Sequence, residues 1–438
     1  DQRLAMALER EAARPRLLIV RGSFATMGGA ERELLQLIRM AHGRWDVHLA
    51  TLDISEEAQE LMLPATPTLI KPPTNLNWPE GALAEVTAAA SKAAQKAWAA
   101  LDIPWDQFDV VHLSVCRGTL EILPLIPSHL PVNYHCLEPP RWLYEDVLHR
   151  HPNGQPKRPL WLTNLVFTRQ RRRDQRFVRN LLKRPKSAIF GNSPWSQILL
   201  ERTYGLPSDP TTTNGHPPRR DSNHRPLEGS HVLPTVDLSN WPAEATAEEE
   251  TERGDVALPA GPYVVTIGTV SHVKGTYDTL RSLVDTPYAL VQAGGGSAEE
   301  KAALIAEGER LGVNVVCMPR LPQAALVGVV RGAHAMVSHA HHEPFGFTPL
   351  EAMAVGVPPI MVDEGGFHYT MTGSGAGVLV QRDDREGWLA AYEAAGDGET
   401  RAAWASAGRK HVASNYPPES QLEAIERIMA PFLSDESV

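Results

Sequence analysis

Two carboxylates eight residues apart, Glu343 and Glu351, mark the stretch best suited to chemistry, GAHAMVSHAHHEPFGFTPLEAMAVGVPPIMV at 332–362. Around the first, His342-Glu343-Pro344-Phe345-Gly346-Phe347 reads as a tight turn that presents backbone N–H groups, and a helix start directly behind it adds partial positive charge. An anion fits such a turn. Carboxylates beside a bound phosphate would grip sugar hydroxyls. Each also has a plainer reading: Thr348-Pro349-Leu350-Glu351 has the form of a capping box, with Thr348 at the N-cap and Glu351 at N3, and Glu343 could simply be solvated. His339, His341 and His342 raise the question of a metal, but alternate residues of a strand point oppositely and no third ligand converges, so no metal is expected.

These residues need a strand before them and a helix behind. Apolar runs predict strands at 335–340 and 359–362 and a helix over 348–355, one repeat of a parallel α/β sheet whose chemistry lies where the first strand ends. The chain of 438 residues is long enough for two such domains. With 42 basic against 52 acidic residues, a net charge of -10 argues against a protein that coats nucleic acid. Cys116, Cys136 and Cys317 match neither a zinc site nor a disulfide framework, and no apolar run reaches membrane-spanning length, so a cytoplasmic setting is expected.

In order, a helical lead-in at 1–15 precedes a strand at 16–20, a loop with Gly28 and Gly29, and a helix over 31–40. The paired glycines would let a phosphate approach the backbone, or are merely a turn. A strand at 47–52, an exposed Pro-rich loop at 64–79 and a helix over 81–101 follow, then strands at 109–113 and 131–135. His135 ends its strand, where open α/β sheets place ligands, or is a hydrogen-bonded core histidine. The most basic stretch, 169–186, reads as a long helix positive on more than one face, either solvated or in contact with a membrane surface or an anionic acceptor. Residues 207–230 read as a mobile loop or insertion, 244–252 as an acidic linker, and 365–367 as a loop near the site. Beyond the linker, a strand at 262–268 leads to Lys274, a point charge suited to phosphate.

Taken together, Glu343-Pro344-Phe345-Gly346-Phe347-Thr348-Pro349-Leu350-Glu351, the strand–Gly268–x–x–Ser271–x–x–Lys274–Gly275 element and the Gly28-Gly29 loop resemble a retaining glycosyltransferase of family 4. The resemblance spans nearly the whole chain and centres on the E-x7-E signature. It implies a GT-B fold, two doubly wound Rossmann-like α/β domains facing each other across a cleft. The first would be 1–240, acceptor-binding and completed by the C-terminal helix 418–433; 241–260 would be the linker and 261–417 the nucleotide-sugar-binding domain.

Residue by residue, the resemblance gives Glu343 the donor-sugar hydroxyls, Glu351 the ribose, Lys274 the diphosphate, and Gly268, Gly346, Phe347 and Thr348 backbone contacts to the donor. Where relatives carry an arginine after the first glycine this chain has Thr269, and Arg320 would compensate. Gly28 and Gly29 would approach the donor phosphate, His135 the reacting carbon, and Glu138 and Arg141 the acceptor, while Leu137 stands at the usual histidine position. The implied reaction moves a hexosyl group from a nucleoside diphosphate sugar to an acceptor hydroxyl with retention, without cofactor or essential metal. Its partners would be that donor and acceptor, with peripheral membrane contact through 169–186 and no nucleic acid. The alternatives are a nucleotide-sugar-binding protein without turnover, which Thr269 and Leu137 suggest, and a nucleotide-sugar epimerase.

Overall fold

The computed structural model describes residues 14–25, 28–80, 87–207, 209 and 212–433. It divides into two compact units. The first holds the residues up to Pro139, Val166–Pro234 and those from Glu419 on; the second holds Pro140–Leu165 and Thr235–Pro418. Most of the lead-in expected at 1–15 lies outside the described residues.

In the first unit, β1 (Arg16–Arg21), β2 (Asp46–Thr51), β3 (Thr68–Ile70), β4 (Val110–Ser114), β5 (Val132–Leu137), β6 (Ser187–Gly191) and β7 (Ser230–His231) form one parallel sheet in the order β3-β2-β1-β4-β5-β6-β7. Helices α1 (Gly29–Ala41), α2 (Glu56–Met62), α3 (Ala89–Ala99) and α5 (Pro194–Tyr204) lie between the strands in sequence, as does α4 (Leu160–Leu182), whose residues up to Leu165 belong to the second unit and the rest to the first. The strands are apolar on both faces because helices cover both. Leu17, Ile19, Leu49 and Phe190 bury against α1 and the C-terminal helix Ser420–Leu433, whereas Leu18, Val20, Val111 and Tyr134 bury with Trp98 of α3 and Leu181 of α4. Neighbouring residues of one strand thus serve opposite cores.

The second unit repeats the plan with β8 (Tyr263–Ile267), β9 (Ala289–Ala293), β10 (Val315–Cys317), β11 (Ala335–Ser338), β12 (Pro359–Val362) and β13 (Val378–Val380), all parallel, in the order β10-β9-β8-β11-β12-β13. Beyond Thr235 its helices are α6 (Ala247–Arg253), α7 (Thr276–Ser282), α8 (Ala298–Leu311), α9 (Gln323–Arg331), α10 (Phe347–Ala354), α11 (Gly365–Met371), α12 (Arg385–Gly396) and α13 (Gly398–Asn415). In both sheets the strand order reverses beside the first strand, and open α/β sheets bind ligands at such reversals.

Several expectations need correction. The acidic run read as a linker is α6, packed in the second unit, because Arg331 donates to both carboxylate oxygens of Glu249 (2.8 and 3.0 Å). Of the stretch read as a mobile loop, the described residues 212–230 are tied down rather than loose: buried Glu228 accepts from the Arg219 backbone (2.9 Å) and guanidinium (2.5 Å), and Ser230 pairs with Phe190. The Pro-rich stretch 64–79 contributes edge strand β3, and 365–367 opens α11.

The loops after β8 and β9 approach so closely that a Cβ on Gly294 would lie 2.2 Å from the Gly268 carbonyl oxygen, at a backbone φ of +142°. Gly294→Ala is therefore expected to destabilise the protein by about 2 kcal/mol or more, whereas Gly398→Ala, in open space at the start of α13, costs nothing and adds helix propensity. Thermal unfolding of both variants checks the contrast.

Candidate functional site

The second sheet reverses between β8 and β11, and the two charges that matter leave those neighbouring strands. After β8, Gly268 takes φ +144°, and the aliphatic stem of Lys274 lies against it where a side chain would have stood. Lys274 Nζ then donates to both carboxylate oxygens of Glu343 in the turn after β11, at 2.9 and 2.8 Å. Burial works to raise the Glu343 carboxyl, but the charge and hydrogen bond of Lys274, with the charge of Arg141, outweigh it and hold the group below the usual carboxylate range. The pair is partly open to solvent, with side-chain exposures of 35% for Lys274 and 20% for Glu343.

The turn itself is built by glycines. Gly346 takes φ +91° and starts α10 at Phe347, so Phe347, Thr348 and Pro349 form its first turn and Glu351 its fifth position. The capping box read from Thr348 and Glu351 does not form, because left-handed Gly346 begins the helix two residues early. The N–H groups of Phe347 and Thr348 thus belong to the helix end that carries partial positive charge. Gly366 donates its N–H to the Glu343 carbonyl (2.5 Å), and Phe367 fills the space beside Gly346.

Arg141 belongs to the second unit, where it holds Glu145 (2.7 Å) and the His341 carbonyl (2.7 Å) two residues before Glu343. Arg320 is exposed just past β10. The three histidines go separate ways: His339 stacks on Trp388 with ring centroids 3.7 Å apart, His341 meets His272 at 4.5 Å, and His342 is exposed. No group of three or more possible metal ligands occurs among the described residues.

One residue escaped sequence reasoning. Arg382, after β13, donates to the His339 carbonyl (2.9 Å), to Asp278 (3.2 Å) and through two nitrogens to Glu364 (2.8 Å each), tying the ends of three strands. Nothing in Gln381-Arg382-Asp383 distinguishes it from a polar loop.

In the first unit, the loop glycines are engaged locally. The Gly28 N–H donates to Glu31 (2.9 Å), whose carboxylate also pairs with Arg21, and Arg21 reaches across the strand reversal to Ser114 (3.1 Å) and the Val115 carbonyl (2.8 Å). Gly29 opens α1 with free space beside it. His135 is only 3% exposed, enclosed by Phe190 and His112, and burial holds its ring neutral, well below the usual histidine range. Its Nε2 lies 3.6 Å from Glu33 of α1, which accepts from Gln421 of the C-terminal helix at 2.7 Å. Leu137 ends β5 at φ +54°, a strained conformation for leucine, and Glu138 follows it.

Residues 248–411, somewhat over a third of the chain, match the family described as Glycosyl transferases group 1. The D-inositol 3-phosphate glycosyltransferase of Segniliparus rotundus is 30% identical over 169 residues, 36% of this chain and 37% of that protein. The chain thus spans little more than a third of that relative's length. The lipopolysaccharide core biosynthesis mannosyltransferase LpsB of Rhizobium meliloti is 26% identical over 317 residues, 65% of this chain and 83% of that protein. Among solved structures, Anabaena Alr3699/HepE in complex with UDP and glucose aligns with a TM-score of 0.64 at 15% identity, covering 95% of this chain and 99% of that one. The two parallel-sheet α/β units are those of the GT-B fold.

Glu33 gives a test of the first-unit geometry. Burial raises its carboxyl to about 8, against the opposing hydrogen bond from Gln421 and the charge of Arg21. The unfolded chain releases this proton near the ordinary glutamate value, so between about pH 4.5 and pH 8 the folded state holds the extra proton and stability falls as pH rises. Glu33→Gln should remove that component, on the order of a few kcal/mol across the window, leaving the variant's thermal midpoint less pH-dependent than the parent's. Identical pH profiles would contradict a buried, protonated Glu33.

Proposed function

We propose that this protein is a retaining glycosyltransferase that moves a hexosyl group from a nucleoside diphosphate sugar to an acceptor hydroxyl. The observation that carries the reading is the Lys274–Glu343 pair, 2.8 Å apart at the strand reversal, within the matched region and beside the N-terminus of α10. In this reading the diphosphate takes Lys274 and the amides of Phe347 and Thr348, Glu343 turns to the sugar hydroxyls, and Glu351 takes the ribose. Gly268 lets the phosphates approach its backbone, and Arg320 supplies the charge that Thr269 does not.

Cleavage of the anomeric bond leaves its electron pair on the diphosphate, so Lys274 and the helix N-terminus bind the transition state more strongly than the ground state. The acceptor oxygen attacks from the side the diphosphate leaves, and the departing phosphate takes the acceptor proton, which keeps the configuration and requires no enzymic nucleophile. This differs from hydrolase chemistry, which relies on two carboxylates flanking the bond. No metal has a part in these steps. Gly29 and Glu138 remain on the first-unit side of the reading; Gly28 is tied to Glu31 and Arg141 to Glu145, so both act by shaping their loops. Enclosed His135 becomes a positioning residue with Glu33 rather than a group touching the reacting carbon.

A second reading, donor binding without turnover, draws on that enclosure and on Leu137 at the strand end. One experiment separates the two. A panel of UDP-, GDP- and ADP-sugars is tested for protection against thermal unfolding, and protecting donors are then incubated with candidate acceptors and with water alone. One donor should protect, Lys274→Ala and Glu351→Ala should each weaken its binding by about tenfold or more, and the product should keep the donor's anomeric configuration. Protection with neither transfer nor hydrolysis supports the second reading; no protection by any donor contradicts both.

A further inference from the structure

Helix α4 carries charge that the glycosyl-transfer reading leaves without a use. Along its 23 residues the exposed positions, besides Asn180, are Trp161, Leu165, Arg169, Arg172, Arg176 and Arg179, continued past its end by Lys183. Their spacings of three and four place them on one face, a row about 33 Å long at 1.5 Å per residue. The opposite face is spoken for, since Phe167, Val178 and Leu181 are buried.

The row contains no acid. The helix's single acidic residue, Asp174, accepts instead from the Tyr204 hydroxyl at 3.1 Å. Among the described residues none of the five cations has an ion-pair partner. Each successive pair of cations is therefore mutually repulsive at helical spacing. A solvated helix face normally intersperses acids and relieves that cost. At the start of the row Trp161 is 69% exposed and Leu165 65%, the two most exposed large apolar side chains among the described residues.

We infer that this face docks on an anionic lipid bilayer, with the cations on the headgroup charge and Trp161 and Leu165 entering the interface. Charge complementarity selects a polyanion, and the apolar end of the row selects among polyanions. Tryptophan is favoured at the headgroup level, where its ring is half in hydrocarbon and half in water. A nucleic acid would use the cations but leave the leucine uncovered. The contact is peripheral, because no described helix is long and apolar enough to cross a membrane.

The test is flotation of the full chain with vesicles of phosphatidylcholine alone or with about 30% phosphatidylglycerol, at about 0.1 and 0.5 M KCl, beside a single-stranded RNA binding assay. The parent should float with anionic vesicles only, lose most binding at high salt, and show no comparable affinity for RNA. Arg169→Gln/Arg172→Gln/Arg176→Gln/Arg179→Gln should lower partitioning by about a hundredfold or more, and Arg172→Gln/Arg176→Gln by about tenfold. Trp161→Ser/Leu165→Ser should weaken binding several-fold while leaving its salt dependence intact. Should the fourfold variant fail to fold, the double charge variant and the parent's salt dependence decide. Absence of vesicle binding by the parent, vesicle binding unchanged in the charge variants, or RNA binding without vesicle binding would each overturn the inference. None of these results depends on a sugar donor.

Discussion

Two opposite charges from neighbouring strands, Lys274 after β8 and Glu343 after β11, meet 2.8 Å apart where the second sheet reverses its order. A partly exposed pair of this kind contributes roughly 1 kcal/mol or less to stability. The surrounding construction is therefore out of proportion to what the pair returns in folding energy. Gly268 clears a path for the lysine stem, Gly346 turns the chain into α10 immediately behind the carboxylate, and Gly366 grips the Glu343 carbonyl. Arg141 holds the turn from one side and Arg382 ties the strand ends that carry it. A weak but rigidly placed ion pair is easily opened by an anion that offers the lysine a better partner, and the freed carboxylate then faces whatever the anion carries.

The first unit spends its burial differently. On the α1 face of β4 and β5, where the neighbouring strands place leucine and isoleucine, the sheet carries His112, Asn133 and His135, with Glu33 and Gln421 brought over them by two helices. Burying so many polar groups is unfavourable unless they serve one another, and the neutral state of His135 with a protonated Glu33 is the arrangement that avoids a bare charge in the core. The strained Leu137 at the end of the same strand shows backbone geometry held by the sheet rather than by the residue's own preference.

How much of this was legible beforehand depended on the range of the forces involved. β12 could be read because a short apolar run between glycines leaves few alternatives. The turn before α10 could be read as a turn, since a local glycine and a helix start fix its geometry. The Thr348 cap misled, because its pattern is statistical while Gly346 at positive φ is decisive. Longer-range partners were invisible: Arg382 acts on atoms 18 to 104 residues away, Arg331 folds an apparent linker into a helix, and Glu228 tethers an apparent mobile loop. His135 was read as the end of its strand, but β5 runs on to Leu137, and which way the His135 ring faces depends on α1 and on a helix that returns from the far end of the chain.

The central claim is that the Lys274–Glu343 pair receives the diphosphate of a sugar nucleotide. A crystal structure with a protecting nucleoside diphosphate sugar tests it most directly. The account predicts the diphosphate within hydrogen-bond distance of Lys274 Nζ and of the first amides of α10, with Glu343 released from the lysine and facing the sugar. A ligand bound elsewhere, with the ion pair still closed, would contradict it.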